Sequence, residues 1–563
     1  MCRARWGVVR RRSDPRGVAR DAASGSPLVN ARGSSTTPSD GALDYLVVGS
    51  GLAGLAFAAL MARAGRRVRV LEAHHHAGGY GHTFEFGDDG RRYRFNAQFH
   101  YVWNCGEGRT VHNFLRKLGL ESEVTFEAYD RSGFDRMRMP GWSLDVPGSF
   151  AELARRLGDL FPHAVGRLGD FVEEIRRTEQ ELDAFSEHGG TIALLARLPR
   201  LRRVVRYRHA TLQNVFDRFA LPREAQTLLA LQWPDFMLPP AELSFFAWVM
   251  LFAGYVRGAY YPTHHFQHVI DSLVRVIENG GGEVRLGTRV AAFIERDRRV
   301  LGVRSEEVLE TGESTGRFEE HRARDTIGNM DPRRAAEMIG LARFTPALRR
   351  RLCYDYSASN FMAYCAVEGI DLREYGFGRS NLFHTEHPDL NEAFRAMHDR
   401  GDYSRPSFAV TVPSLLTADG SDCPPGTQIL ELLTVAGYDR FHHLKIANAR
   451  AYREKKQEVF DAMLDVLERR YVPNLRKHLC FKITGSPTTN ERYCLSPAGN
   501  SYGSAMTPAN MGPGRLDHRT SLAGFHFCNA SSGFAGFAGT IWTGCRLYEH
   551  LSGDSVHPNP GRR

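Results

Sequence analysis

One stretch, Asp44 to Glu72 (DYLVVGSGLAGLAFAALMARAGRRVRVLE), constrains the fold of this chain more than any other. It reads as strand, glycine turn, helix and strand. Tyr45 to Val48 is a short apolar run of the kind a parallel strand covered on both faces needs. Gly49, Gly51 and Gly54 form G-x-G-x-x-G, which gives a tight turn, close backbone approach to a pyrophosphate, and close packing of helix on strand. Leu55 to Ala64 is rich in alanine and leucine, good helix formers, and Gly65 supplies the stop. Val68, Val70 and Leu71 begin a second strand that ends at Glu72. That carboxylate falls about twenty residues past the turn, where a ribose hydroxyl is held. A glycine triplet alone is weak evidence. With both strands, the helix and the terminal Glu, the unit predicts dinucleotide binding.

At 563 residues the chain can build several domains with large cores. The net charge of +9 invites a nucleic-acid reading until the charge is located. Residues 1–43 hold Arg3, Arg5, Arg10, Arg11, Arg12, Arg16, Arg20 and Arg32 against Asp14, Asp21 and Asp40, so more than half of the excess sits in this tail. The body is mildly basic, which argues against a nucleic-acid partner. Nine cysteines are scattered without a C-x-x-C pair, as expected of free thiols in a reducing, intracellular compartment. No apolar run reaches the roughly eighteen residues of a spanning helix. The tail, rich in Arg and Ser without an apolar core, reads as an organelle transit peptide or as an extension with no address.

Further along, His74 to His76 offers three imidazoles, but consecutive residues on one short loop seldom converge on a metal ion. An exposed loop near the adenosine end is expected there. Arg92 to Val102 alternates in part like a strand, and residues 150–227 are helical in pattern. Ala193 to Arg208 carries six arginines between leucines and valines, suited to a peripheral membrane surface or to a solvated helix face. Leu243 to Val256 is nearly all apolar but too short to span, so it reads as a buried helix, a tunnel wall or a monotopic insertion. Thr263 is the expected N-cap of a helix to Glu278. Thr288 to Ile294 and Val300 to Val303 suggest a hairpin, and Asp325 to Pro332 a strand running into a turn. Within 345–480, the strands Phe361 to Val367, Ser407 to Val412 and Gln428 to Ala436 predict a sheet with one buried face, beside a long helix Ile446 to Tyr471. The chain closes with strand Phe525 to Cys528, the small-residue loop Asn529 to Ala538, and a helix from about Gly539, whose N-terminus offers unpaired N–H groups.

Several of these pieces, in this order, resemble the flavoprotein family of retinol saturase, carotenoid isomerase and phytoene desaturase. They are GSGLAGL, LEAHHHAGG, HTFEF, FNAQFHY, GAYYP, GGGEVRLGTRVAAFI, PSLLTADGSDCPPGTQ, GSPTTNERYCLSPAGNSYG and FAGFAGTIWTG. The resemblance implies an α/β fold, α+β overall, in which a discontinuous Rossmann-type FAD-binding domain carries a substrate domain of antiparallel sheet plus helices. FAD-binding parts are expected over 44–149, 260–340 and 484–553, a helical substrate- or membrane-facing part over 150–259, a sheet and helix of the substrate domain over 341–483, and tails over 1–43 and 554–563. It implies FAD contacts at Gly49, Ser50, Gly51, Leu52, Ala53 and Gly54 on the turn, and at Glu72, Ala73, Gly78 and Gly79 beyond it. Val290 would hold the adenine edge, and Asn529, Gly536, Gly539 and Thr540 would serve the closing helix. The implied substrate is a long apolar polyene reached from a membrane surface, undergoing saturation, desaturation or cis–trans isomerisation. A non-catalytic prenyl-lipid binder and an amine-oxidase-like flavoenzyme are the alternatives on the same scaffold.

The departures fall on the flavin-ring half. After Tyr261-Pro262 the family's Gly-Gly is replaced by His264 and His265, which makes them candidate general acids or bases. His264 and His268 also share a metal-like spacing, without the Glu of H-E-x-x-H, so no metal is expected. The F-D-x-G-x-H-Y pattern becomes Phe95-Asn96-Ala97-Gln98-Phe99-His100-Tyr101, keeping His100 as a third catalytic candidate, and the usual G-x-D becomes Asn529-Ala530-Ser531.

Overall fold

Leu43–Val48 is buried from Tyr45 onward and forms the centre of a parallel sheet. In this computed structural model residues 43–87, 90–186, 201–418 and 420–557 are described. Val68–Leu71 flanks the central strand in the register Tyr45↔Val68 to Val48↔Leu71, with Glu283–Arg285 outside it. On the other side lie the end of Ser314–Gly328 and then Phe525–Phe527, all parallel. Three separated stretches of chain thus build one sheet, as the discontinuous domain requires. Helix Leu52–Arg63 is buried from Leu52 to Ala62 and packs against helices His265–Asn279 and Gly536–Ser552.

The expected hairpin is a three-stranded meander of Thr288–Arg296, Arg299–Val308 and Ser314–Gly328. The outer half of the third strand, residues 314–320, is exposed and polar, so it carries no alternation to read.

The second sheet runs Leu479–Gly485, Ser359–Glu368, Thr427–Ala436, Ser407–Thr411, Asn381–Thr385, Asp135–Met139, Trp142–Val146. Its neighbours are antiparallel except Asn381–Thr385 with Asp135–Met139. The segment before residue 149 therefore feeds both sheets. Ser359–Cys365 and Ile429–Ala436 are buried without alternation, so both faces of the sheet are covered rather than one. The expected long helix is Ala449–Arg470, preceded by a separate helix Tyr438–Ala447 and capped where the Asn448 carboxamide oxygen accepts from the N–H of Arg450 and Ala451.

Helix Phe245–Arg257 belongs to the core. Phe245, Trp248, Val249 and Phe252 are fully buried, and Trp248 stacks on Phe252 with centroids 4.7 Å apart. It is not a surface insertion. Half of the basic segment, residues 193–200, lies outside the described residues. In the described remainder, helix Arg202–Tyr207, Arg203 pairs with Glu174 at 2.9 Å and Glu181 at 3.0 Å. Among the described residues no helix is long and apolar enough to cross a membrane. Among the described residues no two cysteines form a disulfide. Helix His265–Asn279 has His264, not Thr263, at its N-cap position, because the Thr263 hydroxyl and N–H are taken by Thr125.

Candidate cofactor-binding site

The glycine turn is closed by an asparagine from the far end of another strand. Asn329 follows Ser314–Gly328; its N–H donates to Val48 O, and its Nδ2 donates to Gly49 O at 3.1 Å and Gly51 O at 2.8 Å. A Cβ on Gly49, whose φ is +99°, would come within 2.7 Å of Asn329 O. Helix Leu52–Arg63 then starts from Gly51 with no side-chain cap and no acid in its first turn. Its first N–H groups and positive dipole end are left for an anion.

Glu72 stands at the tip of the neighbouring strand and is fixed by three donors. Ser50 N–H and Ser50 Oγ both donate to Oε2 at 2.7 Å, and His74 N–H donates to Oε1 at 2.8 Å. A carboxylate has about four acceptor positions, so one remains for a sugar hydroxyl. Gly78 bridges back to Gly51, and its N–H donates to Ser50 O at 3.1 Å.

These elements wall a cleft of about 340 Å³, within the range of small-molecule and cofactor sites. Gly49, Gly51, Leu52, Ala53, Glu72 and Ala73 line it, as do Gly78, Gly79, Val290, Asn529 and Thr540. Ser50 and Gly54 sit behind this wall as supports. At the other end, helix Gly536–Ser552 begins three residues earlier than expected, from Ala535, again without a side-chain cap. A Cβ on Gly539 would meet Phe534 Cβ at 2.8 Å, so that glycine serves the loop's own packing, while the space around Gly536 is open. Asn529 anchors the loop: its Nδ2 donates to Gly328 O and Met330 O, and its Oδ1 accepts from the N–H of Ser531 and Ser532. Ser501 lines the cleft and its Oγ is buried with no partner among the described residues, an orphan that a bound cofactor would satisfy. Two uncapped helix ends, an orphaned hydroxyl and an anchored Glu fit a dinucleotide.

The histidine loop lines the cleft too, but its three rings do not converge on one point. His75 Nε2 reaches Val308 O at 3.0 Å, while His74 faces His76, His82 and Tyr493. Burial lowers the pKa of His74 and takes that of His82 down to about 4. Among the described residues no group of three or more His, Cys, Asp or Glu is arranged to hold a metal ion.

None of the three catalytic candidates lines the cleft. His265 Nε2 lies 2.7 Å from Arg94 Nη1, and His264 meets His268 edge to face at 5.2 Å. His100 Nδ1 lies 3.2 Å from the buried Glu431 Oε2, whose Oε1 accepts from Asn96 N–H. Phe99, beside His100, does reach the cleft, packing on Phe266 and on Phe537 of the closing helix with centroids 5.2 and 5.7 Å away. Sequence reasoning missed Asn329, Ser501 and Tyr502. Asn329 was signalled by its place just past an apolar strand, where parallel strands present their C-terminal ends to ligands; the other two lie in a loop with no periodic pattern.

A family model described as an NAD(P)-binding Rossmann-like domain matches residues 47–118. The all-trans-retinol 13,14-reductase of Macaca fascicularis is 24% identical over 494 residues, covering 82% of this chain and 77% of that protein. The chloroplastic prolycopene isomerase of Daucus carota is 26% identical over 130 residues, covering 23% of this chain and 20% of its own. Among solved structures, wild-type putrescine oxidase superposes with a TM-score of 0.58 at 15% identity, over 91% of this chain and 99% of that one, a likeness of fold. The likeness to the retinol reductase therefore extends along most of the chain, and the matched Rossmann-like segment contains the glycine turn and Glu72.

Proposed function

We propose that the cleft holds FAD and that the protein reduces a carbon–carbon double bond in a long apolar polyene of the retinoid or carotenoid kind. The observation that carries the cofactor reading is the uncapped N-terminus of helix Leu52–Arg63 on a cleft whose end is marked by Glu72, with Thr540 of the uncapped closing helix on the same wall. A diphosphate suits the first helix, and a ring that gains negative charge on reduction suits the second. When bound, FAD supplies two-electron hydride exchange. The chain's own residues do the rest. The amides of Leu52 and Ala53 would receive phosphate oxygens, Glu72 would orient the ribose, and Val290 would back the adenine. Phe99, Phe266 and Phe537 form an aromatic wall that excludes water from the reacting bond.

Reduction is favoured over isomerisation by coverage: likeness to the retinol reductase runs over 82% of the chain, whereas likeness to the isomerase stops at 23%. The test is reconstitution with FAD, reading the paired near-ultraviolet and blue bands, followed by anaerobic reduction and incubation with retinoids, carotenoids and polyunsaturated fatty acids. A product two hydrogens heavier is expected. An unchanged mass at a new retention time would mean isomerisation, and a lighter product from the oxidised protein desaturation. Polyene binding without flavin bands would replace this reading by a lipid carrier.

A further inference from the structure

Arg515 is a buried cation with no counter-ion. Its residue is 6% exposed, and the side-chain hydrogen bonds it makes among the described residues all go to main-chain carbonyls. Nη2 donates to Ala530 O at 2.6 Å, Nη1 to Asn510 O at 3.3 Å, and Nε to Gly533 O. The guanidinium carbon stands 5.5 Å from the centroid of the Phe534 ring. No carboxylate forms an ion pair with it among the described residues. Asp517, two residues along, pairs with Arg351 and Arg519 instead. Burial pulls the Arg515 pKa down to about 10, opposed by the phenol of Tyr354, so the side chain is charged at neutral pH. Carbonyl dipoles solvate such a charge in part, but a buried cation without an opposite charge destabilises a fold.

The carbonyls it holds show where an opposite charge belongs. Ala530 lines the cofactor cleft, so the guanidinium lies directly behind that wall. The same segment is pressed against the glycine turn. Cys528 Sγ is 3.4 Å from Ala53 O, in the first turn of helix Leu52–Arg63. Asn529 Nδ2 donates to Gly328 O and Met330 O, and Asn329 between them latches the carbonyls of Gly49 and Gly51. Arg515 and the uncapped end of helix Leu52–Arg63 therefore bring positive potential to one stretch of cleft from two sides.

The acids on the cleft wall do not cancel that potential. They are Glu72, Glu310 and Asp331 among the described residues, and none of them acts on Arg515. Glu72 is occupied by Ser50 and His74, and Asp331 accepts from Arg334 N–H and the Tyr356 hydroxyl.

We propose that Arg515 is the buried counter-charge of the cleft, a positioning residue whose charge is balanced only when a diphosphate ester occupies it. This rests on the dinucleotide reading above. Arg515 does not touch the ligand. It shapes the wall over residues 530–533 and sets the preference for charged over uncharged adenosine compounds, because a cation held by fixed carbonyls cannot turn away from a neutral ligand.

The test measures binding and needs no turnover. Adenosine and ADP are titrated against the full-length protein without bound flavin, as the parent, Arg515→Gln and Arg515→Lys. The parent should prefer ADP. Arg515→Gln keeps a donor for the carbonyls but no charge, so its preference for ADP should fall about 10-fold or more while adenosine affinity stays within about threefold. Arg515→Lys keeps the charge with fewer donors, so it should melt below the parent yet hold the preference within about threefold. A purely structural role would weaken both ligands alike, and that result overturns the proposal. So does an unchanged preference in Arg515→Gln, or loss of the preference in folded Arg515→Lys, which decides the matter where Arg515→Gln does not fold. If the parent binds ADP no more tightly than adenosine, the diphosphate reading falls and takes this proposal with it. If the parent prefers ADP and the variants alone disagree, the reading stands and Arg515 is not its counter-charge.

Discussion

Asn329 lies so close to Gly54 that a Cβ on the glycine would meet Asn329 Nδ2 at 2.4 Å. The third glycine of the motif is thus held free for a side chain from the end of another strand, and that side chain latches the carbonyls of Gly49 and Gly51. Gly54→Ala should drive the amide out and break both bonds. A melting loss equivalent to about 1–3 kcal/mol is expected, together with a reduced flavin-to-protein ratio. In an Asn329→Ala background the same substitution should cost clearly less. Equal costs in the two backgrounds would mean that the contact does not govern the turn.

Glu72 links the turn to the second strand as well as to the ligand. Glu72→Ala removes the acceptor for Ser50 N–H, Ser50 Oγ and His74 N–H together. Leaving such groups unpaired costs about 1–3 kcal/mol, so FAD should bind roughly 10- to 100-fold more weakly by fluorescence titration. Ser50→Ala, which leaves the two N–H donors in place, should fall between the parent and Glu72→Ala.

The adenosine half of the site was legible because its signals are local. Gly49 to Glu72 is one continuous βαβ unit whose turn, periodicity and terminal acid lie within thirty residues or so. The other half is assembled from distant loops. Ser501 and Tyr502 reach the cleft through a segment of turns, and Asn329 through a strand whose start is polar and exposed. His264 and His265 drew attention as substitutions of glycine, yet nothing in their spacing reveals that Arg94, 171 residues away, would take the ring of His265. The covered second face of the sheet around Ser359–Glu368 was hidden for a similar reason: helix Ala449–Arg470, which supplies Val459, Phe460, Met463 and Leu467 to the core, lies far along the chain.

His265 keeps a glycine's backbone under a histidine's side chain. Its φ is +64°, in the left-handed region, where a residue with a Cβ pays about 1–2 kcal/mol. His265→Gly should therefore relieve strain while losing the contact with Arg94, and should melt at or above His265→Ala, which gains nothing in backbone freedom. Because the ring does not line the cleft, both variants should retain flavin and turn over within about threefold of the parent. A far larger drop in turnover at unchanged flavin content would restore His265 to the chemistry.

Stability should rise with pH through the mildly acidic range, and the sign follows from three buried histidines. Burial lowers His82, His384 and His518 to about 4, against 6.5 when unfolded. Between those values the unfolded chain binds more protons than the folded one, so this contribution is fully present above pH 6.5 and is lost as pH falls toward 4. Asp135 acts in the opposite sense. Its pKa, raised to about 7, makes its contribution complete below the ordinary value of 3.8 and erodes it as pH rises through 7. The two trends overlap, and variants separate them. His384→Gln, which removes one suppressed imidazole from its place between Tyr471 and Glu386, should lower the slope of stability against pH by about one proton. Asp135→Asn should steepen that slope instead. Denaturant melts at half-unit steps from pH 4 to 7 measure both, and a slope unmoved by His384→Gln would show that His384 is charged in the folded chain.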